Sequence, residues 1–382
     1  MIEENSAGVT IDPSRQEKAR QYARISRRLM LVGLAISAVY SLAWLVFGWS
    51  ATLKSLLQLY LSNDWLLVIA FAAIFGVIWV IINLPLNYYE GFILPHRFGM
   101  SNQALAGWIV DQFKGLLVGG IVGGIVLEVI YAMLRQFPDT WWLWAAIFLL
   151  VFNVLLANLA PVLLMPIFYK FRPLGEEQAD LVARLMRLAE RANTHVQGVY
   201  QFDMSRRTKA ANAALIGLGN TRRIILGDTL LKEFTAEEIE TVLAHELGHH
   251  AHKDIPIGIA VSSAITLIGL YLAAIGLQGG AGAFGFSNPA DIATLPLLVL
   301  VIGAYNLFVM PLINGFSRWR ERRADQYALQ VTQNGAAFAS ALTKLTNQNL
   351  AQADPETWVE LILYSHPALG KRIAMAKAYQ PK

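Results

Sequence analysis

The chain has 382 residues, of which 55% are hydrophobic and 15% charged, with a formal net charge of +4 and a mean hydropathy of +0.44. A soluble globular protein carries about 25% charged residues, so this composition excludes an ordinary soluble domain and points to a polytopic membrane protein. There is no cysteine, which excludes disulfides and thiolate metal sites and leaves histidine and carboxylate as the available strong metal ligands.

In chain order, residues 1–29 form a polar, basic lead-in, expected as an amphipathic helix near the membrane surface. The chain opens acidic and its first apolar run begins only near residue 30, which argues against a cleaved signal peptide. Six apolar stretches then reach, or nearly reach, the length that crosses a bilayer core of about 30 Å. They cover residues 30–49, 66–88, 115–134, 141–169, 255–277 and 295–312, and none carries a Lys or Arg between its ends. Arg15, Lys18, Arg20, Arg24, Arg27 and Arg28 precede the first span, so the positive-inside rule puts the N-terminus in the cytoplasm. Six spans return the C-terminus to the same side. The outer loops then hold only Lys54 and Arg135 of the 31 Lys and Arg. The basic balance is explained by residues facing anionic lipid, and no nucleic-acid patch stands out.

Two features of the spans merit an expectation. Gly115, Gly119, Gly120, Gly123 and Gly124 in the third span predict close helix packing. Glu128 in the same span is expected to face a cavity or a partner, because a carboxylate in hydrocarbon is costly. Residues 89–114 read as a cytoplasmic loop between the second and third spans.

The largest polar block, residues 170–254, opens with a helix over 176–192, carried by the apolar spacing of Leu181, Leu185 and Leu188. Strands follow over 196–202, 213–216 and 223–226, with a turn at Gly219 and Asn220 between the last two. Thr235 and Glu238 form a capping box that opens a helix over 235–253. Inside it stands His245-Glu246-Leu247-Gly248-His249. Two histidines four apart share one helical face and can aim at one ion. Glu246 is offset by about 100° and sits beside that ion, placed to act as a base toward the water the ion activates.

Such an ion needs a third protein ligand and an open fourth position. His252 shares the face of His245 but lies about 10 Å along the axis, so His250 and His252 read as solvated. Residues 314–325, after the sixth span, supply Glu321 and Asp325, four apart on one face. One of them can bind the metal while the other orients a ligand histidine. The organisation is therefore a lead-in (1–29), four spans with a cytoplasmic loop (30–169), a first catalytic block (170–254), two more spans (255–313) and a second catalytic block (314–382).

In this order the motifs resemble the type I CaaX prenyl proteases, integral-membrane zinc metallopeptidases, and especially their bacterial relatives. The resemblance runs from about residue 16 onward. It rests on H-E-L-G-H at 245–249, N-x-x-S-R-x-x-E-x-x-A-D at 314–325, N-A-x-x-x-G at 212–217 followed by R-I-I-L-G-D-T-L-L at 223–231, and S-H-P at 365–367 with Arg372. It implies a mainly α fold, with spanning helices enclosing a water-filled chamber and a small β-sheet in the peptidase region. It also implies one Zn2+ held by His245, His249 and Glu321, with Glu246 as base and Asp325 behind a ligand. Asn212, Ala213 and Gly217 would belong to an edge strand that pairs with the substrate backbone, and His366 and Arg372 would bind substrate or the developing oxyanion. Partners would be membrane lipids and a peptide or membrane-protein substrate, lipidated in the family. A bacterial inner membrane is the implied location.

Two departures stand out. The chain has no stretch for the additional N-terminal span of eukaryotic members, and Pro95 replaces the usual acidic residue before His-Arg-Phe-Gly. Competing readings are a general quality-control protease for membrane proteins and a transporter with a structural zinc.

Overall fold

The structure is a computed structural model and describes residues 9–217 and 221–381; the expected turn at Gly219 and Asn220 lies outside them. The helices and strands in order are α1 (Pro13–Val46), α2 (Trp49–Gln58), α3 (Asp64–Tyr88), α4 (Leu94–Arg97), α5 (Leu105–Gln136), α6 (Trp141–Leu159), α7 (Met165–Phe168), β1 (Phe171–Pro173), α8 (Ala179–Arg191), β2 (Val199–Phe202), β3 (Ala213–Ile216), β4 (Arg223–Gly227), α9 (Asp228–Glu233), α10 (Ala236–Ala251), α11 (Asp254–Ala281), α12 (Leu295–Thr332), α13 (Gly335–Gln348), α14 (Thr357–Leu363) and α15 (Leu369–Ala378).

Six helical runs are long and apolar enough to cross a membrane. Their packing closes a ring in the order α1, α3, α5, α6, α11, α12 and back to α1. The ring is sealed at one end. Tyr40 and Trp44 from α1, Phe71 from α3, Tyr131 from α5, Trp141 from α6 and Leu277 from α11 share one apolar cluster there. The Tyr40 hydroxyl donates to the Phe75 carbonyl at 2.6 Å, and Lys54 pairs with Asp291 at 2.5 Å. Away from this plug α11 and α12 stay packed together, Tyr305 donating to the Ile265 carbonyl, while α6 stands apart. No residue in the most apolar window of the α6 run is buried, whereas a solid bundle would bury one face of every helix. The ring is therefore hollow.

The glycine expectation is overturned by this hollowness. A Cβ built at Gly115, Gly119, Gly120, Gly123 or Gly124 would meet nothing within 4 Å. These residues line a cavity of about 810 Å³ between α3 and α5, so they leave space beside the helix instead of drawing helices together. Glu128 faces neither a partner nor open space. It is buried, and neither carboxylate oxygen finds a hydrogen bond among the described residues.

Two expected boundaries also move. The lead-in is not a separate surface helix, because α1 starts at Pro13, capped by the Asp12 carboxylate, and runs unbroken into the membrane. Residues 89–97 are helical, continuing α3 through a π turn (Tyr89–Ile93) into α4, with Pro95 in the first turn of α4, where a missing N–H is tolerated.

The peptidase region sits at the open end of the ring. Its sheet has the order β1-β2-β4-β3, with β2 and β4 parallel and the outer pairs antiparallel. Strand β3 takes the expected bounds, while the three-residue β1, ending on Pro173, has no signal in the alternation of the sequence. Leu185 and Leu188 of α8, Ile224 and Leu226 of β4, Leu243 and Leu247 of α10 and Leu342 of α13 form one core. The two polar blocks thus fold as one body, stitched to the ring by α1, where Gln16 exchanges hydrogen bonds with the Ala351 carbonyl and the Ala353 amide.

Candidate metal centre

Helix α10 starts as the sequence predicts. The Thr235 hydroxyl accepts from the Glu238 amide at 3.3 Å, and the Glu238 carboxylate accepts from the Thr235 amide at 2.8 Å. This register points His245 and His249 toward α12. At about 1.5 Å per residue, the 38 residues of α12 make a rod of about 57 Å, far longer than a bilayer core, so one helix leaves the membrane and delivers Glu321 and Asp325 to α10. The close crossing depends on Gly248, where a Cβ would stand 2.9 Å from the Ala324 Cα.

His245 Nε2 lies 3.2 Å from Glu321 Oε2, and His249 Nε2 lies 3.3 Å from Glu321 Oε1. Ligand atoms held tetrahedrally about 2.0–2.1 Å from one ion are about 3.3–3.4 Å apart, and each histidine stands at about that distance from one oxygen of the Glu321 carboxylate. His245, His249 and Glu321 each offer a ligand atom within 4.8 Å of the others, and Glu321 Oε2 is buried without a hydrogen bond among the described residues. The donor set, two imidazoles and a carboxylate, suits a divalent cation.

Behind these candidate ligands, polar atoms are paired. His245 Nδ1 is 2.8 Å from Asp325 Oδ1. Arg372 grips Asp325 with both Nε and Nη2, at 2.8 and 2.6 Å. His249 Nδ1 is 2.8 Å from Asp254 Oδ2. Burial alone would push the His245 imidazole down, but the Asp325 and Glu321 carboxylates outweigh it and raise it to about 9. His249 is raised by Glu321 and Asp254, also against burial. Glu246 is raised above the usual carboxylate range because burial and the Glu321 charge outweigh the two histidines, which brings it nearer to the range useful for a base at neutral pH.

Glu246 and His249 line a pocket of about 540 Å³ that opens between α6 and α11, with Leu215 of β3 and Arg320 on its wall. Strand β3 is the last in its sheet, and no strand among the described residues pairs with its outer edge. Its entry is fixed by Asn349, which accepts from the Ala211 amide and donates to the Ala211 carbonyl, and by the Asn212 carbonyl, which accepts from the Gly227 amide. Gly217 ends the strand at φ +86°, with room for a Cβ removed by the Thr221 carbonyl 2.6 Å away.

Residues 5–170 match the family described as CAAX prenyl protease N-terminal, five membrane helices, and residues 175–380 match peptidase family M48. The chain belongs to peptidase family M48. It is an integral-membrane metallopeptidase. An uncharacterized metalloprotease of Bacillus subtilis, YhfN, is 29% identical over 369 residues, covering 96% of this chain and 86% of that one. CAAX prenyl protease 1 of Saccharomyces cerevisiae is 28% identical over 397 residues, covering 95% and 86%. The crystal structure of S. mikatae Ste24p superposes with a TM-score of 0.84 at 25% identity, covering 97% of this chain and 90% of that one. The N-terminal match here contains four helices long and apolar enough to span, among the described residues.

Within this M48 frame, the structure brings His366 to the same place, its Nε2 3.4 Å from Glu321 Oε1 and its side chain 60% exposed at the rim. Arg372 spends two of its donors on Asp325, and its Nη2 lies 3.5 Å from His245 Nδ1, so it stands behind His245. His250 and His252 stay outside the ligand group, and His252 stacks edge-on against Tyr327.

Two residues escape the sequence reading. Asp254 looks like the last polar residue before a span. Arg318 looks like one of four arginines on a charged helix, yet it is buried and donates to the carbonyls of Glu360, Leu361 and Tyr364. It thereby anchors the end of α14 and the turn that presents His366.

Proposed function

We propose that this M48 member is a zinc endopeptidase that cuts extended peptide segments at the cytoplasmic face of the membrane, with its site opening into the hollow ring. The observation that carries the reading is the convergence of His245 Nε2, His249 Nε2 and the Glu321 carboxylate, with Glu246 on the wall of the adjoining pocket. A cysteine-free set of two imidazoles and one carboxylate is a donor set of catalytic Zn2+ sites. Bound there, zinc would supply Lewis acidity and lower the pKa of a water toward about 7.

The chain's own groups do the rest. Glu246 takes the proton of the attacking water and passes it to the leaving amine. His366, at the rim, offers Nε2–H to the oxygen on which negative charge develops. Asp325 and Arg372 keep His245 oriented. The substrate lies along β3 between Asn212 and Gly217, held through backbone hydrogen bonds, with Ala213 at the start of the strand. Edge pairing reads the backbone more than side chains, so selection falls to the pocket and the ring. The basic lead-in, with only Lys54 and Arg135 on the opposite side, favours a cytoplasmic peptidase region.

The name of the yeast relative suggests a lipidated substrate, and the apolar cavity walls are compatible with a lipid chain. Matched peptides with and without a farnesylated C-terminal CaaX, given to the purified protein in a bilayer mimetic, test the reading. Turnover of the lipidated peptide, alone or faster, is the expected result. Equal turnover of both would make the enzyme a general membrane endopeptidase, and no turnover of either by the zinc-loaded protein would contradict the proposal.

A further inference from the structure

Each histidine of the site offers Nε2 to the metal position and turns Nδ1 away. For His245 the group behind Nδ1 is Asp325, four residues after Glu321 on the same helix. For His249 it is Asp254, which belongs to neither motif. Asp254 is the first residue of α11, a membrane-spanning helix. The chain reaches it through a sharp break. Helix α10 ends at Ala251, and Lys253 adopts the left-handed conformation at φ +56°. That kink swings the first carboxylate of α11 back over His249.

The environment of Asp254 differs from that of an ordinary helix-terminus acid. Its side chain is 3% exposed, and the N-cap residue before it, Lys253, makes no side-chain capping bond to α11. Oδ2 meets His249, and Oδ1 has no hydrogen bond among the described residues. The Asp254 carbonyl accepts from Arg320 Nη1 at 3.3 Å, tying the same corner to α12. A buried carboxylate is costly without a donor, and the His249 Nδ1–H is the donor provided.

We propose that Asp254 is a positioning residue of the metal site. Its carboxylate accepts the His249 Nδ1–H, fixes the tautomer that presents Nε2, and makes metal affinity depend on how α11 is seated in the membrane. With Asp325 on α12, this gives each ligand imidazole a carboxylate carried by a different spanning helix. The proposal rests on His249 being a ligand.

The competing role is a helix-terminus acid that favours the α11 dipole. That role affects stability and leaves metal affinity alone. The test is Zn2+ competition against a chromophoric chelator on the full-length protein in a bilayer mimetic, with thermal unfolding of the metal-free form alongside. Loss of such a carboxylate behind a ligand typically costs about 10–100-fold in metal affinity. Asp254→Ala is expected to fall in that range, and Asp254→Asn, which keeps an acceptor and an N-terminal helix former, about tenfold at most but measurably weaker than wild type. If Asp254→Ala does not fold, Asp254→Asn decides. Wild-type zinc affinity in the variants, even with a lowered Tm, would overturn the proposal. Failure of the ligand assignment reads differently: His249→Ala would then bind zinc like wild type, and the proposal would fall with it.

Discussion

The membrane ring and the metal centre are built on opposite rules. In the ring, the α5 glycines face empty space, and the largest shared apolar cluster sits at the plugged end. At the centre, α10 and α12 approach until Gly248 has no room for a methyl group, and His245, His249 and Asp325 each have a polar group behind them. The ring provides volume and access, and its apolar side chains are replaceable. The centre provides geometry, because a ligand must be held within a fraction of an ångström. Substitutions should therefore be tolerated in one region and severe in the other.

The largest effect belongs to the centre. Glu321→Ala removes the carboxylate that both histidines approach, and should weaken zinc binding by roughly 10³-fold or more, a minor part of the ~10–16 kcal/mol of a structural zinc site. Metal content after dialysis checks it, and full zinc occupancy would break the contrast. Next is Gly248→Ala. Overpacking against Ala324 should cost about 1–3 kcal/mol, lowering both Tm and zinc affinity as α12 is pushed away.

A smaller effect comes from pH. In the metal-free protein His245 is raised to about 9, so below that pH it holds a proton that a metal must displace. Zinc affinity should fall at least about tenfold per pH unit from 9 downward, for the proton released at His245, more steeply once His249 also holds one, and level off above it. A flat profile between pH 6 and 8 would show that the carboxylates do not hold His245 as the structure implies. The smallest effect is in the ring. Gly120→Ala meets nothing within 4 Å and gains helix propensity, so stability should be unchanged or rise by up to about 1 kcal/mol. A clear loss would mean that α5 packs against something inside the ring.

The sequence makes some of these features legible and hides others for physical reasons. H-E-L-G-H and its capping box are local, and the structure reproduces them. The carboxylate pair of α12 is legible because i and i+4 share a face. Hydropathy marks six spans, but a helix side facing lipid and one facing a hollow chamber are equally apolar, so the ring order and the exposed glycines have no signature. Asp254 is hidden because its partner lies across a helix break set by Lys253, and Arg318 because its acceptors are backbone carbonyls, which carry no residue identity.

The most direct measurement is bound zinc and peptide turnover on the same preparation of Glu246→Gln. Zinc occupancy equal to wild type, with turnover reduced at least about 10²-fold, is the predicted result. Turnover near the wild-type rate would contradict Glu246 as the base, and loss of zinc would contradict its place outside the ligand set.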